Sequence, residues 1–247
     1  MASFFKYNFL FLDDIGSTNE YAKKLLKEKK IQEGAVITSK FQKKGKGQMD
    51  VNWESEYGKN LLMSLLVSPD IPVVSQFNIS MCISLALHDF ASSYFPKQVK
   101  NKWPNDLLIK KEKIAGILIQ NIVSNNLIRH SIIGIGLNVN QIIFAKYSLK
   151  ATSFKNLLGE DYDIHKLQKE LLYCVRNRYL KLKQLKFDKI RKEYTESLFA
   201  LNRWMNYKVE GKKIKAKLVG IDKIGKILLE FENGRINSFS LKEVVFL

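Results

Sequence analysis

The sequence has little of what holds together small secreted proteins or metal centres. Its 247 residues contain two cysteines, Cys82 and Cys174, too few for a disulfide framework or a cysteine-based zinc site. The three histidines are far apart along the chain, which gives no metal-ligand spacing. No apolar run reaches the roughly 20 residues of a membrane span, and the N-terminus lacks a basic start and a cleavage site. We therefore expect a cytoplasmic protein without a membrane partner.

Acidic residues are scarce relative to basic ones. The chain has 41 lysines and arginines against 24 aspartates and glutamates, a net charge of +17, and +11 of this lies in residues 165–247. Such a balance indicates a nucleic-acid or acidic-protein partner, or a solvated basic surface. We favour the solvated surface over a nucleic-acid site, because basic and aromatic residues do not interleave as they do in single-strand binders.

Length and hydrophobic periodicity predict a globular protein that contains both helices and strands, with one large domain and a small one. Hydrophobic residues make up 46% of the chain, which is ordinary for a packed core. We predict a short buried strand at Phe9–Leu12 and a helix that Ser17 and Glu20 begin as a capping box. The other predicted strands are 34–41, 61–67, 99–103, 107–109, 114–119 and 132–139, and the other predicted helices are 75–95, 163–185 and 186–200. Short strands with glycine turns follow, so we predict one domain at 1–200 and a small β-barrel at 201–247.

Four stretches combine glycine, asparagine, serine and lysine in ways that packing alone does not require. Ser17-Thr-Asn19 stands at a predicted helix N-terminus, where it caps the helix or binds a polar or anionic ligand. Gly45 and Gly47, with lysines around them, allow the backbone to approach a carboxylate or phosphate, although a mobile solvated loop has the same composition. The glycine spacing is not that of a Walker loop.

The other two stretches lie at predicted strand ends. Lys102-Trp-Pro-Asn-Asp106 places a lysine beside an Asn-Asp pair, which suits a phosphate with its metal ion or makes a hairpin turn. Gly116 interrupts the next apolar strand, where glycine costs stability unless something must approach closely. Residues 134–140 are Gly-Ile-Gly-Leu-Asn-Val-Asn, which form either a bulge or the polar floor of a pocket.

Taken in order, these four stretches resemble the biotin protein ligases. The family's pattern is Ser-Thr-Asn, Gly-Arg-Gly-Arg-x-Gly-Arg-x-Trp, Lys-Trp-Pro-Asn-Asp with Lys-x-Ala-Gly-Ile-Leu, and Gly-Ile-Gly-x-Asn-Val-Asn, found here at 17–19, 45–53, 102–118 and 134–140. The loop departs from it, since Lys46 and Gln48 replace the first two arginines, Asp50 a glycine and Val51 the last arginine. The resemblance implies an α+β fold: a mixed sheet with helices mainly on one face, shared with class II aminoacyl-tRNA synthetases, and a C-terminal SH3-like barrel.

The resemblance also implies a two-step reaction. Biotin and ATP form biotinyl-5′-AMP, with Mg²⁺ bound through the ATP phosphates, and the biotinyl group passes to a lysine of a carboxylase's biotin carboxyl carrier domain. Both reactants of the first step are anions and need fixed positive charge, so Lys102 is the expected catalytic residue. The expected biotin contacts are Ser17, Thr18, Asn19, Gln42, Lys46, Gly47, Gln48, Lys102 and Gly116. The expected ATP contacts are Lys46, Gln48, Trp53, Asn105 and Asn138. Because Gln48 carries no charge, we expect looser retention of the adenylate than with an arginine loop.

Two other functions remain open at this point. Lipoate or octanoate ligases and transferases have a related fold, although Cys82 lies in an apolar helical stretch and is typical of core packing rather than of a transferase nucleophile. A basic nucleic-acid-binding protein is the alternative that is not an enzyme. Because Ser17 lies near the first residue, we expect no DNA-binding repressor module before it and no specific DNA partner. A homodimer is open to family members, and the sequence does not decide it.

Overall fold

The main part of the protein is built on one mixed β-sheet. The computed structural model describes residues 6–48, 51–145 and 150–247, so Asp50 of the loop lies outside the described residues. The strands are β1 (Asn8–Ile15), β2 (Ala35–Gln42), β3 (Asn60–Val67), β4 (Ile71–Pro72), β5 (Val99–Lys102), β6 (Asp106–Ile109), β7 (Glu112–Ser124) and β8 (Leu127–Asn138). Their order is β1-β2-β3-β8-β7-β6-β5, with β4 paired to β8. β1 and β2 run parallel and the other neighbours antiparallel, so the sheet is mixed, as predicted.

Helices cover the two faces of this sheet unequally. They are α1 (Thr18–Lys27), α2 (Phe77–Tyr94), α3 (Phe154–Leu158), α4 (Ile164–Lys183) and α5 (Phe187–Glu196). α2 and α4 pack on one face, where residues such as Leu85 and Leu171 join Met63 of the sheet in the large core. α1 packs on the other face in a small cluster with Leu25 and Ile37. The helices therefore lie mainly on one face, as predicted. Within the described residues, no helix is both long and apolar enough to cross a bilayer.

A five-stranded antiparallel sheet follows the last helix. Its strands are β9 (Trp204–Val209), β10 (Lys212–Ile221), β11 (Ile227–Phe231), β12 (Ile236–Phe239) and β13 (Val244–Phe246), in the order β12-β11-β10-β9-β13. Its buried residues, among them Tyr207 and Leu218, belong to the same contiguous core as residues of α2 and α5. The small β unit expected from the sequence is therefore present and packs on the main part. The predicted boundary near residue 200 falls between α5 and β9.

The expectation that the first strand is buried is wrong. β1 is an edge strand, because it has β2 as a neighbour on one side and begins the order of the sheet. Phe9 and Phe11 are 43% and 53% exposed, and their rings stack on each other with centroids 5.7 Å apart. An apolar run predicts a strand but not the layer that covers it, which here is incomplete.

The predicted capping box at α1 is also wrong. Ser17 is the N-cap residue with an extended backbone, but among the described residues its side chain makes no hydrogen bond to the first turn. The Thr18 N–H donates instead to Gln42 Oε1 at 2.8 Å, and Glu20 accepts from Gln120. A side chain from β2 thus satisfies the helix N-terminus, which leaves Ser17 facing a cleft.

Candidate active site

A cleft of about 350 Å³ brings most of the predicted site residues together. It lies where α1, the β5–β6 turn, β7, β8 and the Gly45–Trp53 loop meet, and Leu241 of the C-terminal region reaches it. Eleven of the twelve predicted residues line it: Ser17, Thr18, Asn19, Gln42, Lys46, Gly47, Gln48, Trp53, Lys102, Asn105 and Gly116. Asn138 lies instead in an adjoining cavity of about 200 Å³, which shares Trp53 and Lys102 with the cleft.

One end of the cleft is a buried network of uncharged polar groups. Thr18 Oγ1 donates to Gln42 Oε1 at 3.1 Å, and Asn19 Nδ2 donates to the Leu118 carbonyl oxygen at 3.2 Å. Ser64 Oγ, fully buried on β3, donates to Asn19 Oδ1 at 2.6 Å and lies 2.7 Å from Thr18 Oγ1. Buried polar groups that are paired in this way hold their positions and present a fixed set of donors and acceptors.

Ser64 was not singled out from the sequence. A signal was present, because Ser64 is a lone hydroxyl inside the apolar stretch Leu61–Val67. The space around the network is also restricted, since a Cβ at Gly134 would come 2.6 Å from Asn19 Oδ1. The absence of a side chain at Gly134 therefore leaves room for the Asn19 amide.

The other end of the cleft is cationic and is formed by the β5–β6 turn. Lys102 and Asp106 face each other across the turn, whose Trp103–Pro104 peptide bond is cis. Asn105 Nδ2 donates to the Ile117 carbonyl oxygen at 2.9 Å, so this asparagine ties the turn to β7. The predicted hairpin turn is confirmed, and the same residues line the cleft.

Lys113, which was not predicted as a site residue, is a second ammonium group at this end. Its Nζ lies 2.7 Å from Asp106 Oδ1, and both side chains line the cleft. Burial lowers the pKa of Lys102 below the ordinary lysine value, the Asp106 carboxylate opposes this, and the Lys113 ammonium adds to it. Among the described residues, no carboxylate lies within 4.0 Å of Lys102 Nζ, so this ammonium remains available to an anionic ligand.

Trp53 forms the wall between the cleft and the adjoining cavity. Its indole lies on the backbone of β7 and β8, because a Cβ at Gly116 or Gly136 would come within 2.8 or 2.4 Å of the ring. Lys113 Nζ lies 5.4 Å from a ring centroid of the same indole. The Gly116 backbone was expected to lie against a neutral ligand ring, and the structure places the Trp53 ring against it.

Residues on the two sides of the glycine-rich loop pair with each other beside the cleft. Lys46 and Asn52 form an isolated β-bridge, the Gly47 N–H donates to the Val51 carbonyl oxygen, and the Trp53 N–H donates to Gly45. Lys46, Gln48 and Val51 line the cleft. Two of the positions that hold arginine in the family pattern thus present an amide and an isopropyl group to the ligand space.

The residues fit a magnesium ion that arrives with a nucleotide. Within the described ranges, no group of three or more histidine, cysteine, aspartate or glutamate side chains could hold a metal by itself. Asp106 lines the cleft beside Lys102, and Mg²⁺ in phosphate-transfer sites is commonly held by one or two carboxylates together with substrate phosphates. Asp106 is therefore the side chain suited to complete such a site.

Neither cysteine resembles a transferase nucleophile. Cys82 is fully buried on α2 among apolar residues, and burial raises the pKa of its thiol to about 12. Cys174 is half-buried on α4, and burial raises its pKa as well. Neither lines the cleft. Because the thiolate is the reactive form, these positions do not support covalent catalysis.

Comparison with known proteins shows which family the chain is similar to. Residues 12–138 match the Biotin/lipoate A/B protein ligase family. The chain is 31% identical over 229 residues to the bifunctional ligase/repressor BirA of Bacillus spizizenii, an alignment that covers 91% of this chain and 70% of that protein. The Bacillus subtilis protein of the same name is 29% identical over 228 residues, with 91% and 70% covered. The biotin protein ligase from Aquifex aeolicus, solved in complex with biotin and ATP, aligns with a TM-score of 0.80 and 25% identity over 97% of this chain and 98% of that one.

Proposed function

The chain belongs to the biotin/lipoate A/B protein ligase family, and on that basis we propose that it is a biotin protein ligase. It activates biotin with ATP to biotinyl-5′-AMP and transfers the biotinyl group to a lysine of a biotin carboxyl carrier domain. The observation that carries this proposal is the polarity of one cleft, which has a neutral hydrogen-bonding network at one end and, at the other, the Lys102 ammonium beside the Lys113–Asp106 ion pair. This polarity matches a molecule with a neutral head and an acidic tail.

The neutral end favours biotin over lipoate. Biotin's ureido ring has two N–H donors and a carbonyl acceptor, for which Ser17, Thr18, Asn19 and Gln42 offer complementary groups. The dithiolane ring of lipoate has no comparable groups, so it would cover this end of the cleft and leave the remaining donors and acceptors of these side chains unpaired. An unpaired buried polar group costs about 1–3 kcal/mol, which is enough to discriminate between the two acids.

The cationic end suits the first chemical step. A biotin carboxylate oxygen attacks the α-phosphorus of ATP, the bond to the bridging oxygen breaks, and diphosphate leaves with its electron pair. We assign Lys102 the charge that draws carboxylate and α-phosphate together, with Lys46 acting from the loop and Gly47 and Gln48 beside it. Magnesium bound to the phosphates, with Asp106 nearby, would reduce the repulsion between the two anions.

The nucleotide has a place beside the biotin cleft. The adjoining cavity of about 200 Å³ has the Trp53 indole on one side and Asn138 on another. Asn138 Nδ2 donates to the Thr152 carbonyl oxygen at 3.0 Å, so its side chain is already oriented. We propose that adenine lies against Trp53 and that Asn105 and Asn138 lie near the nucleotide. Gly116 would lie beneath the point where the cleft and the adjoining cavity meet.

The second step needs no nucleophilic side chain from the ligase. The lysine amine of the carrier attacks the carbonyl carbon of the mixed anhydride, an amide bond forms, and AMP leaves with the electrons of the broken C–O bond. The net charge of +17 favours an acidic carrier surface. The cytoplasmic location predicted from the sequence and the homodimer that the sequence left undecided are not needed for this chemistry.

The direct test of the function is transfer to a defined carrier. The protein is incubated with biotin, ATP, Mg²⁺ and a purified biotin carboxyl carrier domain, and intact-mass spectrometry follows the carrier. We expect one biotinyl group per carrier, and none on a carrier whose target lysine is replaced by arginine. Lipoylation or octanoylation of a matching carrier, without biotinylation, would instead favour the related ligases and transferases.

A further inference from the structure

The last strand of the C-terminal sheet reaches Lys102 at the cationic end of the cleft. Lys102 Nζ lies over the ring of Phe246, 5.2 Å from its centroid. Phe246 is the final residue of β13, which pairs with β9 at Phe246 and Tyr207. The Tyr207 ring, fully buried, meets the Phe246 ring edge to face at 5.1 Å. Phe246 is therefore held from behind by the core of the C-terminal sheet and presents a ring face to the ammonium.

A second contact fixes the same turn to the same sheet. Trp103, the residue after Lys102, donates from Nε1 to the Gly225 carbonyl oxygen at 2.9 Å. Gly225 has φ +90°, and a Cβ there would come 2.0 Å from the Phe77 ring, so the β10–β11 turn is packed tightly where it meets the main part. The C-terminal sheet thus contacts two successive residues of the β5–β6 turn, one by a hydrogen bond and one by an aromatic face.

An aromatic face suits Lys102 better than a carboxylate would. The ammonium is half-buried, and burial disfavours its charge. A carboxylate partner would favour the charged form of Lys102, but its negative charge would also weaken the attraction between Lys102 and an anionic substrate. Asp106 has this effect on Lys113. A ring face attracts the cation through its quadrupole and carries no net charge. One side of the ammonium is then stabilised while its positive field toward the cleft is kept.

We propose that Phe246 is a positioning residue for adenylation, which holds the Lys102 ammonium at the point where the biotin carboxylate meets the α-phosphate. This inference rests on the proposed function. It extends the adenylation site into the last strand of the chain, which contributes no residue to the four sequence motifs.

The test separates the electrostatics of the ring from its shape. Phe246→Leu removes the ring, replacement of Phe246 by pentafluorophenylalanine keeps the shape but removes the negative face, and Phe246→Tyr keeps both. Phe239→Leu is the matched control, because Phe239 pairs with Phe231 in the same sheet, whereas the ring beneath Lys102 is that of Phe246. Single-turnover formation of biotinyl-AMP is measured across biotin concentrations, with thermal melting as the check on folding.

We expect the leucine and pentafluoro proteins to form the adenylate about 3- to 30-fold more slowly, the range of a cation–π contact. The KM for biotin should stay within about twofold, because the head-group contacts are elsewhere, and Phe246→Tyr and Phe239→Leu should keep the wild-type rate. Equal rates for wild type and the pentafluoro protein would overturn the inference even if the leucine variant fails to fold. Absence of biotinyl-AMP in wild type would refute the proposed function itself, which is a separate outcome.

Discussion

At the residue scale, the side chains that would recognise the neutral head of biotin and the side chains that carry charge lie at opposite ends of the cleft. Uncharged side chains on α1, β2 and β3 form one end, and lysines on the β5–β6 turn and β7 form the other. This division means that single substitutions should affect different kinetic constants. Changes at the neutral end should alter the affinity for biotin, and changes at the cationic end should alter the rate of the chemical step.

Lys102→Ala should abolish adenylation without unfolding the protein. The ammonium is aimed into the cleft, and loss of one fixed charge or donor at a transition state costs about 100-fold or more in rate. Single-turnover formation of biotinyl-AMP measures the effect, and circular dichroism melting checks the fold. Lys100→Ala, an exposed lysine on the same strand, is the control. A folded Lys102→Ala protein with a near-normal rate would contradict the role of this lysine.

Ser64→Ala should weaken biotin binding and leave the chemical step intact. The hydroxyl bridges Thr18 and Asn19 behind the ligand surface, and a net hydrogen bond is worth about 0.5–1.5 kcal/mol. We therefore expect the KM for biotin to rise roughly two- to tenfold at constant kcat, in steady-state assays of biotinyl transfer. Ser131→Ala removes a buried hydroxyl on β8 that bonds Asn121, away from the cleft, and should leave KM unchanged. Equal KM values in the two variants would remove the role given to Ser64.

Most of the site residues could be predicted from the sequence, because they lie in motifs that are contiguous along the chain. Ser17, Lys102 and Gly116 belong to short stretches whose composition is unusual for packing, so each could be recognised without knowing the fold. Ser64 lies in no such stretch and acts only through what faces it across the sheet. Lys113 is the first residue of the recognised stretch at 113–118, but its partnership with Asp106 depends on the β6–β7 pairing.

At the scale of elements, two glycine-containing strands and one loop shape the ligand space. Gly116 on β7 and Gly136 on β8 are directly paired, and the Trp53 indole lies on both. The absence of side chains at these positions lets an aromatic wall pack on the sheet itself. The loop that carries Trp53 contributes Lys46, Gln48 and Val51 to the same ligand space.

Gln48→Arg should slow the release of biotinyl-AMP. Position 48 lines the cleft and now carries an amide, whereas an arginine could make charge-assisted hydrogen bonds to the adenylate. We expect about a tenfold slower off-rate, measured by trapping released adenylate in a rapid-dilution assay. Gln32→Arg adds the same charge at an exposed position after α1 and should have no effect. Identical off-rates for wild type and Gln48→Arg would show that the loop departures do not govern retention.

Whether a segment is a helix or a strand was easier to predict than which elements pack around it. Periodicity located α2, α4 and most strands, because amphipathic spacing is a local property. It placed β1 in the core, since the order of strands across a sheet is not a local property and β1 is at the edge. It also missed α3 and β13, which are only five and three residues long. The missed strand β13 matters for the site, because it places the Phe246 ring beneath Lys102.

At the scale of the whole molecule, the two sheets meet at the cleft. Trp103 and Lys102 of the main part contact Gly225 and Phe246 of the C-terminal sheet, and their apolar residues form one contiguous core. The fold class followed from the order of the motifs, because their resemblance to one family carried its architecture. The contact between the sheets could not be predicted in this way, since residues more than 100 positions apart make it.

The basic character of the chain should speed its encounter with an acidic carrier. With a net charge of +17, electrostatic attraction raises the association rate and is screened by salt. We expect kcat/KM for the carrier to fall about fivefold between about 50 and 300 mM NaCl. Hydroxylamine, a small neutral nucleophile that also discharges biotinyl-AMP, provides the control and should show little salt dependence. A salt-independent kcat/KM for the carrier would leave the basic surface without a role in docking.

The central claim is that this cleft joins the carboxylate of biotin to adenylate, and isotope exchange between diphosphate and ATP tests it most directly. The exchange reports the reversible first step without any carrier protein. The account predicts exchange that requires biotin and Mg²⁺, does not occur with lipoate or octanoate, and disappears in the folded Lys102→Ala protein. Exchange supported by lipoate but not by biotin, or no exchange with any of these acids, would contradict it.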